Sequence, residues 1–301
     1  MQALIKNFIQ SECLPESFVA VAENYYLPLV EQVVAWHLGS RTSLGLALNG
    51  GQGTGKSTLA RFMSVYLSEQ YGLRTVVLSL DDFYKTKAER LELGTSVHPL
   101  LATRGVPGTH DLKIGMECAR VCLGYDKKST TIPRFEKETD DRAPRDQWNT
   151  VDSAFDVVIL EGWCVSAVAE SDPAMVIPIN DLECVEDSKS IWRSYVNMML
   201  REQYQAFFEL FTKTVLLCAP SFESIVGWRK KQEHKLRKQL VTSGGITEFS
   251  GLMDDAAIDR FVMHYERLTR WMLSEMPSRA DACLYLNEEH GIDRLVVKKY
   301  D

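Results

Sequence analysis

No apolar run in this 301-residue chain reaches the ~20 residues that a bilayer-crossing helix needs. Residues 1–12 also lack the charged start and unbroken apolar core of a signal peptide. Positive charge is not in excess: 34 Lys and Arg stand against 41 Asp and Glu, for a net charge of −7. That balance argues against nonspecific binding to nucleic acid or to an anionic membrane, and leaves any affinity for phosphate to local features. The seven cysteines are odd in number and include no C-x-x-C pair, which suits reduced cytoplasmic thiols rather than a disulfide framework or a zinc site. Cys118 and Cys122 have the i, i+4 spacing of a shared metal site, but small buried helix positions are the simpler reading. Repeats, heptads, low-complexity tracts and a strong linker are all missing. A composition of 45% hydrophobic and 25% charged residues therefore describes a globular chain with one large core or two small ones.

The informative stretch is Gly50-Gly51-Gln52-Gly53-Thr54-Gly55-Lys56-Ser57, followed by Thr58. It fits G-x-x-x-x-G-K-S/T, in which glycines let successive backbone N–H groups turn inward at a helix N-terminus and cradle a polyphosphate. Lys56 then reaches the β- and γ-phosphates, and the Ser57 hydroxyl takes a position on Mg²⁺. The flanks agree. Leu44 to Leu48 is a short apolar strand, and Leu59, Phe62, Met63, Tyr66 and Leu67 fall on one helical face. A glycine-rich turn without a ligand is the competing reading. The guanine-reading N-K-x-D motif is absent, leaving adenine as the default base.

Two further strands end in acids. Residues 74–80 run into Asp81-Asp82-Phe83-Tyr84, and beyond the carboxyl ends of such strands is where open α/β sheets bind ligands. Asp81 is thus a general base or Mg²⁺ partner, against an alternative of an N-cap or turn aspartate. Phe155 to Trp163 is an apolar strand ending in Glu161-Gly162, the form of a Walker B element, with Glu161 holding Mg²⁺. Between them, Arg104-Gly105-Val106-Pro107-Gly108-Thr109-His110-Asp111 concentrates a cation, a histidine and a carboxylate; alone, it would be a solvated loop with Asp111 capping the next helix. Thr130 to Lys137 reads as an edge strand because of Pro133, and the charged stretch after it as a loop. Ile191 to Phe211 reads as one long helix whose aromatics are core. The basic run Trp228 to Lys238 is a solvated face or a lid, with Arg229 and Arg237 two turns apart and Glu233 placed to hold either.

In this order, the phosphate loop, Leu80 to Tyr84, Arg104 to Asp111, Lys137 with Asp141-Arg142-Ala143-Pro144, Glu161-Gly162-Trp163 and Trp228-Arg229 to Arg237 resemble D-glycerate 3-kinase and its bacterial P-loop kinase relatives. These belong to a wider group with uridine kinase, pantothenate kinase and phosphoribulokinase. The resemblance runs from about residue 43 onward. It implies the three-layer α/β/α fold of P-loop NTPases with a mainly parallel sheet, as a kinase domain over residues 43–301. A helical extension over 1–42 would pack on its core, and a helical lid would lie around 221–245.

The resemblance further implies transfer of the ATP γ-phosphoryl group to a hydroxyl of a small acid, D-glycerate above all. Lys56, Asp81, Arg229 and Arg237 would be catalytic, with Asp81 as base. Asp82, Tyr84, Arg104, His110, Asp111, Lys137 and Arg142 would hold the substrate, and Ser57 and Glu161 the Mg²⁺. The chain departs from the pattern at Val165-Ser166-Ala167, where a glycine is expected, and in an acidic insert over 171–190. Both bear on the acceptor, so a nucleoside or pantothenate-like acid remains an alternative, as does an ATP-binding regulator without transfer activity.

Overall fold

The computed structural model describes residues 2–242 and 254–299; over 235–242 it describes the helical backbone alone. Six strands form the central sheet: β1 (Leu44–Gly50), β2 (Thr75–Ser79), β3 (Val157–Gly162), β4 (Lys213–Cys218), β5 (Ala282–Leu286) and β6 (Ile292–Val297). Their spatial order is β6-β5-β4-β1-β3-β2, parallel throughout except for the β5–β6 pair. The chain leaves β1 in one direction to build β2 and β3, then returns to its other side for β4. The order therefore reverses at β1, and the crevice beyond its carboxyl end is where the phosphate loop begins.

Strand composition follows from burial on both faces. Leu46, Leu48, Val157, Ile159, Val215 and Leu217 enter one core, whereas Val158, Leu160 and Leu216 enter the other. A parallel sheet sandwiched in this way needs near-continuous apolar runs rather than alternation. On the first face lie α1 (Gln2–Ser11), α2 (Leu27–Gly39) and α3 (Lys56–Tyr71), with Phe8 and Tyr26 edge-on to Phe62 at ring separations of 5.2 and 5.3 Å. Pro28 does not break the N-terminal helix: it directly follows a π turn over Ala22–Tyr26, in which Leu27 N–H reaches back to the Ala22 carbonyl and the ladder is already shifted where the proline lacks a donor. The second face carries α5 (Leu112–Cys122) and α8 (Asp255–Arg279), after α4 (Lys87–Ser96) has crossed the end of the sheet. Helix α6 (Ile191–Met199) continues through a π turn, Leu200–Tyr204, into Gln205–Phe208, and α7 (Phe222–Thr242) follows β4.

One sequence expectation needs correction. Thr130 to Lys137 is not an edge strand of the sheet: Pro133 separates Thr130–Ile132, paired with Asn149–Val151, from Phe135–Glu136, paired with Asp141–Arg142. Strand β6 folds back antiparallel onto β5 and forms the edge of the sheet. Cys118 and Cys122 both lie in the core, with Cys118 donating to the Thr131 carbonyl at 3.4 Å. No described helix is long and apolar enough to cross a membrane.

Candidate active site

The loop after β1 adopts a conformation that its residue types allow and few others would. Gly53 and Gly55 have φ of 81° and 88°, in the left-handed region. A side chain at Gly51 would come within 2.6 Å of Ile225, so α7 rests directly on the loop. Thr54 closes the turn by donating to the Gly51 carbonyl at 2.8 Å, and Lys56, Ser57 and Thr58 then open α3. Gly50 ends β1, and Gln52 lies between Gly51 and Gly53 in the loop.

Glu161 lies beside Leu48 of β1 and Ser79 of β2 in the sheet register. Its Oε1 accepts from Ser57 at 3.1 Å and from Ser79 at 3.0 Å, while Oε2 is buried without a partner. A desolvated carboxylate oxygen with no donor is costly. Together with the Ser57 hydroxyl it is the donor set of a hard, oxygen-seeking cation, so these residues fit Mg²⁺.

Asp81 and Asp82 sit on a 3₁₀ turn, Leu80–Phe83, directly after β2. Burial pushes the Asp81 carboxyl up, but Lys137, whose Nζ donates at 2.8 Å, outweighs it with help from Lys56 and His110, leaving the group below its usual range. Asp81 is therefore ionised at neutral pH. Asp82 goes the other way. Burial and the negative charges of Asp81 and Glu161 raise it to about 6, against the Phe135 N–H that it accepts at 3.0 Å and the charge of Lys137.

The loop from Arg104 to Asp111 runs beside this turn, tied by Lys85 N–H to Thr109 and by Asp111 N–H to Phe83. Gly105 and Gly108 have φ of 137° and 103°, and Tyr265 and Tyr195 occupy the space that a side chain at either position would need. His110 is 2% exposed and stacks on Tyr84 at 4.5 Å. Its Nδ1 lies 2.7 Å from the Tyr204 hydroxyl, which itself accepts from Gly108 N–H at 2.8 Å. Among the described residues no other acceptor takes the hydroxyl proton, so it goes to Nδ1 and the imidazole proton resides on Nε2. That N–H is buried and unpaired. Burial lowers the His110 pKa to about 3, with Asp81 opposing and Lys85 assisting, so the ring is neutral.

The arginines are occupied. Arg104 is paired with Asp140 and lies over the Phe135 ring. Arg142 donates to the Tyr84 carbonyl at 2.7 Å and to Asp111 at 3.0 Å, while Asp111 also caps α5 through Ile114 N–H. Arg229 is held by Glu233 at 2.8 Å. Lys137 is the most exposed of these cations, with 60% of its side chain accessible. Arg237 falls on the part of α7 whose side chains lie outside the described residues.

Four contributors escaped the sequence reading. Ser79 shares Glu161 with Ser57. Tyr204 sets the His110 tautomer from within an aromatic stripe that reads as core. Arg90, fully buried, binds the carbonyls of Lys85 and Ala102 and the Asp140 carboxylate, joining three segments around the site. His290 contacts the Gly53 carbonyl with its ring against Trp228 at 4.6 Å, so the β5–β6 turn touches the phosphate loop. Only the position of Ser79 at a strand end was a usable signal.

No family model matches the sequence. The chain is 30% identical over 233 residues to mug58 of Schizosaccharomyces pombe, described as an uncharacterized kinase, covering 73% of this chain and 77% of that protein. The chain belongs to this family of P-loop kinases. TDA10 of Saccharomyces cerevisiae, described as a probable ATP-dependent kinase, is 27% identical over 247 residues, covering 76% and 78% of the two chains. Among solved structures, D-glycerate 3-kinase from Cryptococcus neoformans var. grubii superposes with a TM-score of 0.71 at 23% identity, over 90% of this chain and 99% of that one. The fold is thus the one that the motifs implied.

Proposed function

We propose that this kinase transfers the γ-phosphoryl group of ATP to a hydroxyl of a small acid, with D-glycerate as the leading acceptor. The observation that carries the reading is Asp81: a carboxylate kept ionised at the mouth of the crevice, bound to Lys137 and within the field of Lys56. Gly50 to Thr58 would hold the triphosphate, and Ser57 with Glu161 would hold Mg²⁺, whose charge neutralises the phosphate oxygens when bound. Asp81 takes the acceptor's hydroxyl proton as the oxygen attacks, and Lys56 stabilises charge on the transferring group. The Nε2–H of neutral His110 donates to an acceptor oxygen, since a histidine in this tautomer offers a proton without adding charge. Lys137 swings from Asp81 to the acceptor carboxylate, which frees the base. Helix α7, carrying Arg229 and Arg237, closes as a lid.

One observation favours a different acceptor of the same reaction. Arg104 and Arg142 are both engaged by protein carboxylates, so neither offers an open fork to a substrate carboxylate, and a nucleoside-like polyol would not need one. The test is ADP release from ATP and Mg²⁺ with D-glycerate, other hydroxy acids and nucleosides. Stimulation by glycerate supports the first reading, and stimulation by a nucleoside replaces the acceptor. Tight ATP binding without acceptor-dependent release would refute transfer.

A further inference from the structure

The phosphate loop is gripped from outside by the turn that joins β5 to β6. The backbone of that turn is fixed without help from the His290 ring. Asn287 N–H donates to the Gly291 carbonyl at 2.9 Å, and His290 N–H to the Asn287 carbonyl at 3.0 Å. The Asn287 side chain takes Gly291 N–H at 2.7 Å and donates to the Asp293 carboxylate at 2.8 Å. His290 itself has a φ of 70°, in the left-handed region that asparagine tolerates best among residues with a side chain. Its imidazole is left to make a contact of its own.

That contact is with the phosphate loop, across 237 positions of the sequence: His290 Nε2 meets the Gly53 carbonyl. A carbonyl oxygen can only accept, so the proton is on Nε2 and the imidazole donates. The peptide between Gly53 and Thr54 is thereby held at both ends. Its carbonyl goes to His290, and its N–H to the Gly51 carbonyl at 3.3 Å, which the Thr54 hydroxyl also reaches at 2.8 Å. Gly53, with a φ of 81° and no side chain, is a residue at which this peptide can rotate. A half-turn would break the bond from Thr54 N–H to Gly51 and put an oxygen in its place, inside a turn whose N–H groups are there to attract anions.

The same turn holds the base of α7. Trp228, 5% exposed, donates from Nε1 to the Glu288 carbonyl at 3.2 Å, and its ring lies 4.6 Å from that of His290. A side chain at Gly53 would start 3.4 Å from the Trp228 Cβ, so loop, turn and helix meet at one place. Packing keeps the turn beside the loop, whereas the His290 N–H selects the orientation of one peptide within it. We infer that His290 is a positioning residue for nucleotide binding: its Nε2–H holds the Gly53 carbonyl outward and keeps the loop in its phosphate-accepting form before the triphosphate arrives. A loop ordered in advance loses less conformational entropy on binding. The inference rests on the reading of Gly50 to Thr58 as the triphosphate site and not on the identity of the acceptor.

Calorimetric titration of the full chain with ATP and Mg²⁺ tests it, with three replacements of His290. Glutamine offers an N–H at the reach of Nε2, asparagine only at that of Nδ1, and alanine offers none. Asparagine, however, suits the left-handed backbone better than the other two. His290→Ala and His290→Asn should each weaken ATP binding about tenfold, while His290→Gln stays within about threefold of the wild type. An alanine variant that binds ATP with wild-type affinity would overturn the inference. So would an asparagine variant that binds as tightly as the glutamine one, because the backbone of the turn would then be what matters. A wild-type chain that binds no ATP would overturn the reading of the loop itself, and the inference with it.

Discussion

Replacing Asp82 by Asn should stabilise the ligand-free kinase, and by an amount that depends on pH. Its carboxyl titrates near 6 in the folded chain against an ordinary value of 3.8, because burial and the charges of Asp81 and Glu161 oppose ionisation. A raised carboxyl favours folding fully below the unfolded value and loses that advantage as pH rises through 6. At pH 8 the folded wild type therefore carries a penalty of about 3 kcal/mol from this group, and at pH 5 about half as much. Asn keeps an oxygen for the Phe135 N–H and removes the charge. Thermal unfolding of the two proteins at both pH values is the assay. The variant should melt several degrees higher at pH 8, with the advantage shrinking towards pH 5. A gain that is the same at both values, or a loss at pH 8, would refute the argument that Asp82 is destabilised by its acidic neighbours. Mg²⁺ with nucleotide should narrow the gap at pH 8, since a bound cation relieves the same repulsion.

Other perturbations separate the roles of neighbouring groups. Glu161→Gln should raise the Mg²⁺ concentration needed for half-maximal turnover by about tenfold or more, with nucleotide binding in the absence of metal little changed. Asp81→Asn should keep ATP binding and lower turnover by about 10²-fold or more, and an unchanged turnover number would remove it as the base. Tyr204→Phe should move ¹⁵N signals of the His110 ring away from a pure Nε2–H tautomer and raise the acceptor KM more than it lowers kcat. A wild-type spectrum in that variant would mean that something else fixes the tautomer. Arg90→Met should cost about 3 kcal/mol or more in unfolding free energy by leaving the carbonyls of Lys85, Ala102 and Asp140 without the guanidinium that holds them.

The parts of this molecule that were legible in its sequence are those where backbone geometry dictates residue type locally. Positive φ at Gly53 and Gly55 demands glycine within a few residues of Lys56 and Ser57, so the loop announces itself in eight letters. Doubly buried strands leave continuous apolar runs, which is why β1 and β3 were readable. By contrast, β6 alternates half-buried and exposed positions on the edge of the sheet and carries no strong pattern. Pro133 was noticed, yet its effect is to end one short hairpin and begin another, a choice made by pairing with Asn149–Val151 and Asp141–Arg142 rather than by the proline itself.

The same reasoning explains why the loop from Arg104 to Asp111 stood out in the sequence but its supports did not. Tyr204 meets His110 across 94 positions, Arg90 meets Asp140 across 50 and Arg267 meets Glu183 across 84. At such separations no periodicity links the partners, and each residue taken alone has an ordinary reading, as a core aromatic or a solvated cation. Burial is what changes their meaning. An arginine with no accessible surface must satisfy five donors, so it collects carbonyls from whichever segments the fold brings near and fixes those segments relative to one another. Around Arg90 that fixes the Asp140 hairpin, and with it the reach of Lys137 to Asp81. Around Arg193 and Arg267 it fixes the insert. Two of the insert's acids, Glu183 and Asp187, are therefore spent inside the molecule on Arg267 and Arg193, arginines of helices that come later in the chain, while Asp172, Asp181 and Glu186 stay at its surface.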